Sequence, residues 1–202
     1  MTEPCRALRG LLEAVVREYR RILGRNLAGI YLHGSAAFGC FRWQTSDIDL
    51  LVAVHAPPSS RQKEGLVRTL LAQGTAAPPA GFEMSVVLVR YCRQFVWPVP
   101  YELHFSNMHR ASFEKDLSAA CARMHGTDKD LAAHFAVTRA AGVTLWGESP
   151  RTMFCAIPPG AYKAAILYDA ATAVQDAGPK PVQVVLNLCR ALAFWRQGLV
   201  LS

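Results

Sequence analysis

The chain has 202 residues, about half of them hydrophobic and 18% charged, with a formal net charge of +7. That composition supports a packed core and argues against disorder. No apolar run approaches the roughly 18 residues of a membrane span, so a spanning protein is excluded, and the charge suits an anionic partner such as a nucleotide.

In chain order, the N-terminal stretch mixes charges into its apolar positions and lacks a signal-peptide layout, so the cytoplasm is the expected compartment. Leu8, Leu11, Leu12, Val15, Val16, Tyr19 and Ile22 recur at helical spacing and predict a helix over 5–23. "LAGIYLH" predicts a short buried strand, "SAAFGCF" a tight turn with a short helix, and "DIDLLVAV" a second strand ended by "PPSS". "SSRQKEGLVRTLLAQG" carries a serine cap signal and a terminal glycine around a helix. "FEMSVVLVRY" is a third strand, and "PYELHF" (100–105) alternates as an edge strand. "DKDLAAHFAVTRAAG" predicts a helix with Asp128 or Asp130 near its cap and Gly142 at its end, followed by a short strand in "VTLWGESP". Two helices broken by "GPKP" close the chain, with Pro158 and Pro181 in first-turn positions. The predicted class is α+β: a mixed sheet flanked by helices over residues 1–155, then part of a helical bundle over 156–202. Two helices make a poor core alone, so they must dock on the first part, and their apolar faces offer a route to homo-oligomers.

The cysteines (Cys5, Cys40, Cys92, Cys121, Cys155, Cys189) are scattered, without a C-x-x-C or a zinc spacing, and read as free thiols of a reducing compartment. The chemistry concentrates in "YLHGSAAFGCFRWQTSDIDLLVAV", residues 31–54. Side chains alternate along a strand, so Asp47 and Asp49 point the same way and Ile48 and Leu50 the other. Two like charges on one face are costly to bury, and a hard divalent cation such as Mg²⁺ removes the cost. If the second and third strands are neighbours, Glu83 reaches the same patch as a proton acceptor. Upstream, Gly34 and Ser35 open a turn whose backbone N–H groups suit phosphate oxygens, Gly39 permits the next turn, and Ser46 directly precedes the acids. A phosphate cradle beside a metal clamp fits phosphoryl or nucleotidyl transfer.

The segment "LHGSAAFGCFRWQTSDIDLLV" resembles the signature of the DNA polymerase beta-like nucleotidyltransferase superfamily. With "GFEMSVVLV", "PYELHF", "DLAAHFAVTRAAGVTLWGE" and "VVLNLCRALAFWRQGLVLS", the likeness extends to the aminoglycoside (streptomycin/spectinomycin) adenylyltransferase family. The resemblance implies ATP and substrate bound between a nucleotidyltransferase domain and a helical bundle. It implies that Asp47 and Asp49 hold Mg²⁺, that Ser35 contacts the nucleotide phosphates, and that Glu83 activates the acceptor hydroxyl. Members of the family continue beyond "GLVLS" with a phosphate-contacting lysine, so the chain reads as C-terminally shortened. Lys180 stands where members place an acid, Met108 where an aromatic residue favours streptomycin, and Asp176 keeps an acid nearby.

The expected activity is therefore transfer of AMP from ATP to a hydroxyl of an aminoglycoside or aminocyclitol. The rival readings are a nucleotide-binding module without turnover, and nucleotidylation of a protein or RNA, for which no basic–aromatic interleaving speaks. Elsewhere, Glu102 and His104 read as an edge-strand pair and His33 as a turn-shaping residue. His109, His125 and His134 read as surface or packing residues. Trp43, Trp97, Trp146 and Trp195 read as core or interface, with Trp43 close enough to the acids to touch a nucleotide.

Overall fold

The structure is a computed structural model and describes residues 3–175 and 181–201. Asp176 and Lys180, the positions matched to substrate-contacting acids, lie outside the described residues. Helix α1 (Glu3–Leu23) and a 3-10 turn (Gly24–Asn26) lead into strand β1 (Leu27–Leu32). Then come α2 (Gly34–Ala37), β2 (Ile48–Val54), α3 (Ser60–Gln73), β3 (Phe82–Leu88) and α4 (Val89–Arg93). Short elements follow: β4 (Val99–Tyr101), β5 (Leu103–Phe105), α5 (Arg110–Lys115), α6 (Leu117–Arg123) and β6 (Gly126–Asp128). The chain closes with α7 (Leu131–Ala141), β7 (Val143–Gly147), α8 (Pro150–Met153), α9 (Pro159–Gln175) and α10 (Pro181–Gln197).

The main sheet is five-stranded and mixed, in the order β5-β3-β2-β1-β7. Only β2 and β3 run parallel, with Ile48 opposite Phe82 and Asp49 opposite Glu83; the other pairs are antiparallel. The predicted edge strand at 100–105 divides in two. Residues Val99–Tyr101 pair with β6 in a separate ribbon, and Leu103–Phe105 line the edge of β3. The backbone N–H of Glu102, between them, donates to Val86 at 2.8 Å. Glu102 and His104 therefore do not share one uninterrupted strand.

Strand alternation builds two layers. Ile48, Leu50, Val52 and Val54 of β2 join Phe82, Met84, Val86 and Leu88 of β3 in one cluster with the apolar stripes of α1 and α3. Leu51, Ala53 and Val87 face the other way, onto Leu131 and Phe135 of α7, Met153 of α8 and Phe154. Tyr162, Ala165 and Ile166 of α9 then pack on Ala132 and Ala133 of α7, with Ala191 of α10 closing the cluster. Burying a side chain such as Tyr162 or Ile166 is worth roughly 1.5–3 kcal/mol. The C-terminal helices are thus anchored on α7, and through it on the face of the sheet that carries the acids.

Local signals set the element ends. The Ser59 hydroxyl accepts from Gln62 N at 3.3 Å and Gln62 Oε1 accepts from Ser59 N at 3.0 Å, a reciprocal cap at the start of α3. Gly142 ends α7, as expected, and Pro181 opens α10.

Candidate active site

The sheet face covered by α7 gathers its acids at the N-terminal ends of the two parallel strands. Asp47 precedes β2, Asp49 is its second residue, and Glu83 is the second residue of β3. The parallel register makes Asp49 and Glu83 neighbours on one face. Each of the three offers a carboxylate oxygen, and those oxygens all lie within 4.8 Å of one another. Burial, then the charges of Asp47 and Glu83, hold Asp49 well above the usual carboxylate range. Burial also pushes Glu83 up to about 7, with His134 opposing and Asp47, Asp130 and Asp128 reinforcing. Three hard oxygen donors that repel one another at this spacing suit a divalent cation of the Mg²⁺ class.

The turn after β1 is built around Asp49. The backbone N–H of His33 donates to Asp49 O at 3.0 Å. Gly34 has φ +61°, and a Cβ there would run into the Asp49 carboxylate, within 2.6 Å of its Cγ. The glycine expected to admit a phosphate therefore first admits a carboxylate to the backbone. Ser35 Oγ is shielded from solvent and has no hydrogen-bond partner in the protein, an orphaned polar atom beside the acids. Ser46 Oγ accepts from Arg42 N at 3.1 Å and helps close the loop that leads to Asp47. Trp43, in the same loop, packs edge-on against Phe41 with ring centroids 6.2 Å apart, and both rest on the main core.

Other participants come from distant parts of the chain. His134, expected to be a surface or packing residue, is instead mostly buried beside the acids, with Nε2 3.1 Å from Asp130 Oδ2 and 4.0 Å from Glu83 Oε1. The correction has a simple cause: α7 packs on the sheet face that carries the acids, and one turn of it brings Asp130 and His134 together beside Glu83. Burial alone would lower the His134 pKa, but the charge and hydrogen bond of Asp130, then Glu83 and Asp49, push it up to about 10. The His33 ring lies 5.0 Å from that of His134, and burial and that neighbour hold His33 well below its ordinary value. His104 Nδ1 meets Ser85 Oγ at 3.0 Å, and burial, His134 and His109 bring it down to about 4.

From α10, Arg190 reaches Asp169 of α9 at 3.6 Å and acts on Asp49 and Asp130 across the cleft. Its Nε is buried without a partner. Asp169 itself is raised by burial and by Asp130. Met108 is 83% exposed in the turn before α5.

This arrangement, acids at the mouths of two parallel strands in a small mixed sheet with a glycine turn beside them, is the nucleotidyltransferase fold. The fold matches the crystal structure of spectinomycin adenyltransferase AAD(9) from Enterococcus faecialis with ATP and spectinomycin at a TM-score of 0.82. The match covers 96% of this chain and 78% of that one at 18% identity, and the likeness is one of fold. A toxin–antitoxin crystal structure with AMP-PNP, 17% identical over 84% of this chain and 97% of that one, superposes at a TM-score of only 0.36 and does not bear on the site.

Residues 152–202 match the family profile described as aminoglycoside adenylyltransferase, C-terminal domain. The matched segment takes in both α9 and α10, the helices that pack on α7. Among the described residues, no helix is long and apolar enough to cross a membrane.

Proposed function

We propose that the protein transfers AMP from ATP to a hydroxyl of a cationic aminocyclitol or aminoglycoside, spectinomycin being the first candidate. The observation that carries this reading is the set of three carboxylate oxygens within 4.8 Å, facing the helices of an aminoglycoside adenylyltransferase C-terminal segment. The neighbour's complex with ATP and spectinomycin supports the choice of co-substrates.

Asp47 and Asp49 would hold Mg²⁺, which when bound supplies positive charge beside the triphosphate. Ser35 Oγ, without a partner in the protein, would donate to a phosphate oxygen, with Gly34 and Ser46 on the same nucleotide side. Arg190 adds a guanidinium that faces Asp49 from the helical layer. Glu83 accepts the proton of the acceptor hydroxyl as that oxygen bonds to the α-phosphorus. The bond from the α-phosphorus to the bridging oxygen breaks, and pyrophosphate leaves with the electron pair. Asp128, Asp130 and Asp169 surround the Glu83 side of the cleft, an acidic lining that favours a polycationic acceptor.

The test is pyrophosphate release with ATP and Mg²⁺ across spectinomycin and streptomycin, with the product checked by mass for one added AMP. Glu83→Gln is expected to lower the rate by about 10²–10⁴-fold. Tight ATP–Mg²⁺ binding without pyrophosphate release on any acceptor would instead support a binding module.

A further inference from the structure

We propose that His134, clamped by Asp130, is the positioning residue for Glu83: it anchors one oxygen of that carboxylate and leaves the other for the acceptor hydroxyl. The inference rests on the reading of Glu83 as proton acceptor, and concerns residues outside the glycine–aspartate signature.

Asp130 is the N-cap residue of α7, yet its side chain makes no cap hydrogen bond. An aspartate at that position ordinarily stabilises its helix by capping, an interaction of about 1 kcal/mol. Here its carboxylate meets His134 Nε2 at 3.1 Å, four residues on and one turn up the same face. Its backbone N–H is held by Asp128 Oδ1 at 2.8 Å, which fixes the start of the helix without the side chain. The helix therefore gives up its own cap so that a carboxylate can hold the imidazole.

The same nitrogen of His134 lies 4.0 Å from Glu83 Oε1, within ion-pair range. The His33 ring, 5.0 Å away, supports the imidazole from another side. Glu83 otherwise faces the acids Asp47, Asp130 and Asp128. Without His134, repulsion from these carboxylates would turn Glu83 away from the acceptor. With it, the imidazolium charge 4.0 Å from Oε1 draws that end of the carboxylate back against the repulsion. Misplacing a reacting group by about 1 Å can cost on the order of 10²-fold in rate.

A double-mutant cycle tests the link. His134→Ala is expected to lower kcat about 10–100-fold, with the acceptor KM and the ATP–Mg²⁺ Kd within about threefold of wild type. In a Glu83→Gln background the same change should cost nothing further, because the group it positions is gone. His134→Gln, which keeps a donor, should recover part of the loss. An equal loss in both backgrounds, or an unchanged kcat in His134→Ala, overturns the proposal. An unchanged kcat in Glu83→Gln alone would instead sink the reading of Glu83 on which it rests. Crystal structures of wild type and His134→Ala read the same point without any acceptor: the Glu83 carboxylate should leave its wild-type position in the variant. An unmoved Glu83 counts against the proposal.

Discussion

At Asp49 the fold holds a half-buried carboxylate close to those of Asp47 and Glu83, whose charges add to burial in raising it. Removing that charge should not unfold the strand. Asp49→Asn is expected to keep or raise the metal-free Tm by a few degrees, about 1 kcal/mol of relieved repulsion. It should also lose transfer. Mg²⁺ should stabilise the wild type by about 1.4 kcal/mol at ten times its Kd and leave the variant unmoved, as differential scanning fluorimetry would show. His134 gives a pH test of opposite character. Its folded pKa, about 10, lies above the ordinary 6.5, so its stabilising effect is complete below pH 6.5 and is lost as pH rises through 10. Glu83, raised to about 7, loses its part earlier, between about 4.5 and 7, and His104, lowered to about 4, acts with the opposite sign below 6.5. Between pH 7 and 9 the metal-free Tm should therefore fall, and His134→Gln should flatten that slope.

Helix α3 shows what a local signal achieves by itself. Its capping box lies on the sheet face away from the acids, so Ser59→Ala should cost about 1 kcal/mol in urea unfolding and leave transfer unchanged. That cap was readable in "SSRQ", as were the stripe of α1, the strands β1, β2 and β3, and the acids at their mouths. Each depends on residues close in sequence. The stretch from 106 to 126 was not readable: α5 and α6 are six and seven residues long, too short for a helical period to declare itself. The split of 100–105 into two strands follows from pairing partners, β6 and β3, that alternation cannot specify. His134, Asp169 and Arg190 were missed because helices far along the chain carry them to the site. Asp130 and His134, four apart on one helix, were the only local trace of that layer.

Taken whole, the molecule closes its sheet on both faces, but among the described residues one side of α10 is uncovered. Leu186, Leu188 and Leu192 of α10 are about half exposed, and Trp195 is 63% exposed with Lys163 Nζ 3.6 Å above its ring. An apolar face of this kind marks a contact surface, and we propose a second copy as its occupant. Sedimentation velocity should show concentration-dependent association, and Leu186→Glu with Leu192→Glu should return the protein to monomer. At the level of the gene, position 34 is a dead end. Every single-base missense change in a glycine codon brings in a side chain, and any side chain there meets both a left-handed backbone and the carboxylate of Asp49. The clash cannot be relieved by shrinking Asp49 without removing a carboxylate on which the proposed transfer depends. A saturation library selected for activity should come back empty at this codon. Codon 39, whose glycine has φ +74° but open space around it, should still yield asparagine among its survivors.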